Sequence, residues 1–219
     1  MSVVNQKYDV IILGAGGAGL FCAATAARRG KKVIALDHGE KLGKKILISG
    51  GGRCNFTNVN ASAKTYFSEN EHFAKSALAR FTPEDFIALV KKYHIPFHEK
   101  KLGQLFCDES AQRIVDLLAA ECREAGAKIQ LGCRIESVKK LGEGEFLVET
   151  SLGTFSSSAV VVATGGPSIP KIGATDFGQR LAKEFGLELT GLDPALVSLT
   201  MNQDFQKRFG ELSGVSVDT

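Results

Sequence analysis

The sequence predicts an α/β fold, a parallel sheet with crossover helices and a small antiparallel element beside it. Three observations predict it. Apolar strand-like runs alternate with amphipathic helix-like runs along the 219 residues, the order that builds a parallel sheet crossed by helices. A glycine-rich loop, Gly14-Ala15-Gly16-Gly17-Ala18-Gly19, separates the first apolar run from the helix that follows. A second apolar run ends on Asp37, where a Rossmann-like dinucleotide-binding unit places an acid.

Each element of that unit has its own chemistry. YDVIIL, residues 8–13, is short and rich in isoleucine and valine, as a buried strand is. Gly14 suits the tight turn out of the strand, Gly16 leaves room for a pyrophosphate at the backbone, and Gly19 lets the helix pack closely on the strand. The helix runs to Gly30, and its first N–H groups and positive dipole end face the phosphates. KKVIALD forms the next strand, and Asp37 is placed to bind a ribose hydroxyl. Glycines alone could serve packing. Strand, loop, helix, strand and acid in that order argue for a dinucleotide.

A second glycine loop, SGGGRCNFTN over residues 49–58, stands where a simple dehydrogenase would continue into its next helix. Ser49, Gly50, Gly51 and Gly52 offer successive N–H groups, a potential anion nest. Lys44, Lys45 and Arg53 add positive charge, and Asn55, Thr57 and Asn58 add hydrogen bonds. Ile46, Leu47 and Ile48 are expected to anchor this loop in the core. Cys54 is the one thiol in a polar, basic setting, although a small packing residue is its plainer reading. A third turn, Thr164-Gly165-Gly166, closes the apolar run of residues 158–166. It offers a hydroxyl and backbone N–H groups free of side chains.

The remaining chain supplies the rest of the fold. Residues 71–81 and 82–93 read as two helices, the second capped by Thr82 with Pro83 following. Phe86, Leu89, Val90 and Tyr93 form its apolar face. Residues 95–108 read as two short extended pieces around Gly103. Residues 110–126 form an amphipathic helix with Ile114, Leu117, Leu118 and Cys122 in one stripe and Gly126 at its end. Residues 127–131 read as a strand, and residues 133–141 and 145–151 as alternating strands, with 153–158 as a further short piece beside them. Residues 176–186 read as the next helix. By fold analogy the antiparallel pieces form a three-stranded meander like that of two-dinucleotide-fold flavoproteins.

Composition excludes several classes. The net charge is +3, with lysine and arginine scattered, so a nucleic-acid partner is not suggested. Five cysteines show neither a CxxC pair nor metal-ligand spacing, and read as reduced thiols of a cytoplasmic protein. No apolar run reaches the length of a membrane span, and the first residues do not form a targeting segment. His38 is expected at the surface beside the adenosine. His94 and His98 flank Pro96 and read as ordinary.

At this point the motifs carry a family resemblance. ILGAGGAGL, LGKKILISGGGRCNFTN, GQLFCDESAQRIVDLL, VVVATGGPSIPKIGATDFGQRLAKEFG and PALVSLT together resemble the bacterial BaiN-like flavoproteins. These are also described as aminoacetone-oxidase-like, or as NAD(FAD)-utilizing dehydrogenases. The resemblance covers residues 8–200 and implies an FAD-dependent oxidoreductase with a small-molecule substrate and NAD(P)H as candidate reductant. It sets the first loop at the pyrophosphate, Asp37 at the adenosine ribose with His38 beside it, and residues 49–58 along the cofactor. It sets Arg134 and Ile135 at adenine, and Thr164, Gly165 and Gly166 at a second FAD turn. It matches Gly173 to Phe177 to a small-residue turn opening the next helix, from which Thr175-Asp176-Phe177 departs, a second glycine being expected before the acid. Members are about twice as long. Residues 1–192 are then expected to be the FAD-binding domain, incomplete, and residues 193–219 the start of an inserted substrate domain near PALVSLT. An NAD(P)-only dehydrogenase and a non-catalytic nucleotide-binding fragment are the alternatives, the first disfavoured by the SGGGRCN loop. Amine oxidation and reduction of a carbon–carbon double bond both stay open.

Overall fold

The computed structural model describes residues 6–192 and 202–212. In chain order the elements are β1 (Gln6–Leu13), α1 (Gly17–Arg28), β2 (Val33–Leu36), α2 (Lys44–Ile48), β3 (Asn55–Asn58), α3 (Lys75–Arg80), α4 (Pro83–Lys92), β4 (Phe97–Glu99) and β5 (Gln104–Cys107). They continue with α5 (Gln112–Ala125), β6 (Lys128–Gln130), β7 (Ile135–Gly142), β8 (Glu145–Thr150), β9 (Gly153–Val162), α6 (Phe177–Glu184) and α7 (Gln203–Phe209).

The main sheet has the order β6-β2-β1-β9-β8-β7. β6, β2, β1 and β9 run parallel, and β9, β8 and β7 form an antiparallel meander. Residues 153–158 and 158–166 do not form separate pieces. β9 is one strand over Gly153–Val162, taking in the first piece and the start of the second, and pairs with β1 from Gln6 opposite Phe155 to Leu13 opposite Val162. The serine run from Ser156 to Ser158 resembles a turn signal. It stays extended because β8 and β1 take its backbone bonds on both sides, with Ser156 and Ser157 buried.

Alternation along β1 splits the core. Ile12 points to one face, where α1 and α5 pack through Leu20, Ala23, Ala24, Ile114, Leu117 and Leu118. Ile11 and Leu13 point to the other, with Leu36, Val138, Val148, Phe155 and Leu181. A second sheet, β3-β5-β4, is antiparallel and separate.

Helix ends follow local chemistry. Thr82 and Asp85 form a reciprocal capping box at α4, with N–H to side-chain distances of 3.2 and 2.8 Å. Gly126 ends α5 in the left-handed region. The helix expected over residues 71–81 is shorter, because the N–H groups of His72 and Phe73 bond the Asn70 side chain and carbonyl and hold a turn there. Residues 44–48 form a short helix rather than a core anchor. Ile46 packs on the core, but Ile48 is 48% exposed. The expected domain boundary near PALVSLT falls outside the described residues. Among the described residues no helix is long and apolar enough to cross a membrane.

One buried carboxylate joins three helices. Glu121 of α5 is 4% exposed and accepts from Arg28 of α1, from Lys92 Nζ at 2.9 Å and from the Tyr93 hydroxyl at 2.7 Å. Burial pushes its pKa up, but the hydrogen bonds from Lys92, Tyr93 and Arg28 outweigh that and bring it from 4.5 to about 2. A depressed folded-state pKa stabilises above the unfolded value and stops doing so below the folded one. Glu121→Gln is therefore expected to lower the unfolding free energy at neutral pH by about 1–2 kcal/mol. The difference from the native protein should close between pH 4.5 and about 2 in urea titrations across that range.

Candidate functional site

A cavity of about 610 Å³ opens at the C-terminal ends of β1, β2 and β9. Chain order reverses here: β2 lies on one side of β1 and β9 on the other. Such a switch point is where open α/β sheets place ligands. Gly14, Asp37 and Ala163, each directly after its strand, line the opening.

The glycines of the first loop divide their work. Gly14 has φ +108°, and a Cβ there would stand 2.4 Å from the Ala163 carbonyl oxygen. A Cβ on Gly19 would stand 1.9 Å from the Gly14 oxygen, so the helix can approach the strand only without one. At Gly16 a Cβ would meet nothing within 4 Å, although Gly16 lines the cavity. The first two glycines are required by the protein's own packing. The third leaves space for something else. No side chain caps α1 at its N-terminus, and Gly16, Gly17 and Ala18 present that end to the cavity.

Asp37 fixes the loop. Its carboxylate accepts from the N–H groups of Ala15 and Gly39, both at 2.7 Å, one on each oxygen. Each oxygen keeps further acceptor capacity. His38 and Lys44 line the same wall, and Lys45 Nζ donates to Ser168 Oγ at 2.7 Å across the opening. On the far side stand Thr164, Gly165 and Gly166. Thr164 Oγ1 and Gln179 Oε1 are buried and lack a hydrogen-bond partner in the protein. Buried polar atoms are rarely left so, and both residues line the cavity. An uncapped helix end, open backbone at Gly16 and Gly165, an acid and two orphaned polar atoms fit a dinucleotide with phosphate and ribose groups.

The second glycine loop lies beside this cavity rather than in it. A neighbouring hollow of about 530 Å³ shares Gly17, Ala18 and Lys45 with the first. Ser49, Cys54 and Asn55 line it together with Phe21, Phe56 and Phe81. Gly50, Gly51 and Gly52 have φ of 57°, 67° and 87° and turn the chain, but they and Arg53, Thr57 and Asn58 line neither space. Asn58 instead holds the hairpin of the small sheet, donating to the Leu102 carbonyl at 3.0 Å. Cys54 is buried and burial pushes its thiol pKa up, which favours the packing reading. Arg134 and Ile135 are not on the cavity wall. The Arg134 N–H bonds Ser151 Oγ, Ile135 packs into the core, and the preceding Cys133 N–H bonds the Asp37 carbonyl. Gly173, the first residue of the expected small-residue turn, lines the cavity, and so do Gln179 and Ser168, which look like ordinary helix and loop positions in the sequence.

Fold and cradle together define a flavoprotein-type dinucleotide-binding domain. The match to known proteins is specific: residues 8–218 fit the HI0933-like protein Rossmann domain. The chain belongs to that family, the BaiN- and aminoacetone-oxidase-like FAD-dependent oxidoreductases. It is 47% identical over 212 residues to a ribosomal RNA dihydrouridine synthase of Escherichia coli K12, covering 97% of this chain and 53% of the relative. It is 31% identical over 210 residues to a 3-dehydro-bile acid delta(4,6)-reductase of Clostridium scindens, covering 94% of this chain and 50% of that protein. The chain thus spans about half the length of these relatives. L-proline dehydrogenase from P. horikoshii shares the fold, with a TM-score of 0.55 at 13% identity over 85% of this chain and 58% of that one.

The division of labour among the glycines is testable on stability alone. Gly19→Ala should cost at least about 2 kcal/mol, because backbone must move to admit the methyl group. Gly16→Ala should cost no more than about 1 kcal/mol, the scale of an altered N-cap. Urea unfolding of the ligand-free variants measures both.

Proposed function

We propose that this chain binds FAD and belongs to a reductase that saturates a carbon–carbon double bond conjugated to a carbonyl, with a uridine of ribosomal RNA as substrate. The observation that carries the cofactor reading is the open cradle at the switch point, with space at Gly16 and unpartnered polar atoms at Thr164 and Gln179. The names of the two curated relatives support the reaction class. A dihydrouridine synthase and a delta(4,6)-reductase both add hydrogen across a double bond. Among the two chemistries left open by the sequence, this favours reduction over amine oxidation.

In this reading the N-terminus of α1 and the backbone of Gly16 and Gly17 hold the pyrophosphate. Asp37 accepts from the adenosine ribose while it keeps the loop closed through the Ala15 N–H. Lys45 and Thr164 donate from opposite walls. Bound FAD supplies two-electron transfer that no side chain of the chain can provide, and NAD(P)H is the proposed reductant. An RNA substrate revises the expectation drawn from scattered charge. A dinucleotide-binding domain needs no basic face of its own, and the relatives are about twice as long.

Two measurements test this. Asp37→Ala should weaken FAD binding about 10- to 100-fold, the loss of one or two hydrogen bonds to a charged acceptor. The flavin absorption of the purified protein reports it, and unchanged FAD content would overturn the assignment of the cradle. The whole protein, given NADPH and ribosomal RNA transcribed in vitro, should add two hydrogens to a uridine, read by nucleoside mass spectrometry. A transcript left unchanged by a flavin-loaded enzyme rules out the proposed substrate.

A further inference from the structure

The hollow beside the cofactor cradle has a lining of a different kind. Four phenylalanines face it: Phe21 of α1, Phe56 of β3, Phe81 shortly before α4 and Phe86 within α4. They form a chain of rings, with centroids 4.6 Å apart from Phe21 to Phe81, 6.3 Å from Phe81 to Phe86 and 6.0 Å from Phe86 to Phe56. The rings touch one another, yet none is buried, and Phe81 is 36% exposed. About 530 Å³ of space walled by aromatic groups has the size and lining of a small-molecule site. A flat ring placed there gains stacking contacts that water cannot give.

Two polar side chains of the lining suit the edge of such a ring. Asn55 is next to Phe56. With its amide turned so that the nitrogen meets the Thr57 and Leu105 carbonyls, at 3.0 and 3.2 Å, the oxygen is left to accept. Lys45 brings a positive charge, and Ser168 takes one of its three N–H donors. The position of the hollow adds a second argument. It leaves the cradle from the middle: Gly17, Ala18 and Lys45 are the residues the two spaces share, and Gly17 and Ala18 open α1 between the Asp37 wall and the Thr164 wall. In the cofactor reading the dinucleotide stretches from Asp37 to Thr164 and Gln179, so the side branch is free for a second occupant.

We propose that this hollow is the seat of the substrate's reacting ring, a uracil turned out of its RNA strand and stacked on the phenylalanines, with its imide edge toward Asn55 and Lys45. The inference rests on the reductase reading above. Enzymes that act on a base take it out of the stack into a pocket, where aromatic side chains hold its faces and polar groups read its Watson–Crick edge. The N3–H of uracil donates to the Asn55 oxygen, and the carbonyl at C4 accepts from Lys45. Cytosine turns an acceptor toward Asn55 and an amino group toward Lys45, so the same two side chains reject it. The shared wall at Gly17 and Ala18 sets the seated ring directly beside the cofactor cradle.

The test uses the whole flavin-loaded protein with ribosomal RNA transcribed in vitro. Ultraviolet cross-linking of the native protein to a transcript carrying 5-bromouridine in place of uridine should join the base to peptides that hold Phe56 or Phe81. Phe81→Ala should keep its flavin and its gel shift with the transcript, while kcat/KM for uridine reduction falls about 10- to 100-fold, the loss of one stacking face. Phe81→Tyr should restore most of that rate and Phe81→Leu should not, which separates stacking from packing. Asn55→Ala should lower kcat/KM about 10-fold, the loss of one hydrogen bond that leaves a buried N–H unpaired. Cross-links confined to other peptides overturn the assignment, and so does uridine reduction by Phe81→Ala and Asn55→Ala within about twofold of the native rate. A folded Phe81→Ala that loses its flavin puts the flavin ring in the hollow and overturns the assignment as well. A native enzyme that leaves every uridine of the transcript unreduced overturns the reductase reading, and the seat with it.

Discussion

The structure depends on how closely the start of α1 can approach the adjoining C-terminal ends of β1 and β9. Three backbone segments meet there: Gly14 leaving β1, Ala163 leaving β9, and Gly19 in the first turn of α1. Without side chains on the two glycines the helix sits on the strand, with Ala163 Cβ only 3.5 Å from the place a Gly19 Cβ would take. That contact aims the uncapped end of α1 into the opening between the strands. The site is therefore a consequence of packing. Asp37 reinforces it from the neighbouring strand end, because its bond to the Ala15 N–H keeps the turn from opening.

The rear of α1 is fixed with equal economy. α1 and α5 face each other through alanine, leucine and isoleucine, which bring two helices close but give little direction along their axes. The Glu121 cluster supplies direction. Its single carboxylate draws Arg28 from the end of α1 and Lys92 and Tyr93 from the end of α4. Removing the acid leaves two cations with partial access to water, so the cost is moderate rather than catastrophic. Position along the helix matters here because any slide of α1 would move its N-terminus relative to Gly14 and Thr164.

What the sequence reveals and what it hides follow the range of the interactions. The glycine loop, Asp37, the Thr82 cap and the Gly126 stop were legible because each is decided within a few residues by backbone freedom or local hydrogen bonds. The fate of Ile48 was not, because an apolar run beside lysines fits a buried anchor and an exposed short helix equally well. Residues 153–162 were read in two pieces because serines favour turns locally. Only pairing on both edges, with β1 and β8, keeps them extended. Gln179 and Ser168 could not be assigned to the cavity, since tertiary folding alone brings α6 and its approach to the glycine loop. The His98–Asp108 hydrogen bond was equally hidden, because the partners lie ten residues apart across a hairpin and no spacing rule connects them.

The separation of the two glycine loops has a chemical logic of its own. In the proposed reading the first serves a charged, extended ligand part with backbone N–H groups and a helix end, which need no side chains. The second is built differently. Its left-handed glycines make a sharp return that seats Phe106 against Gly50 and sends Cys54 into the core. A loop whose glycines serve curvature does not have to grip phosphate. It holds an aromatic ring, Phe106, on whose outer side the His98 ring stacks.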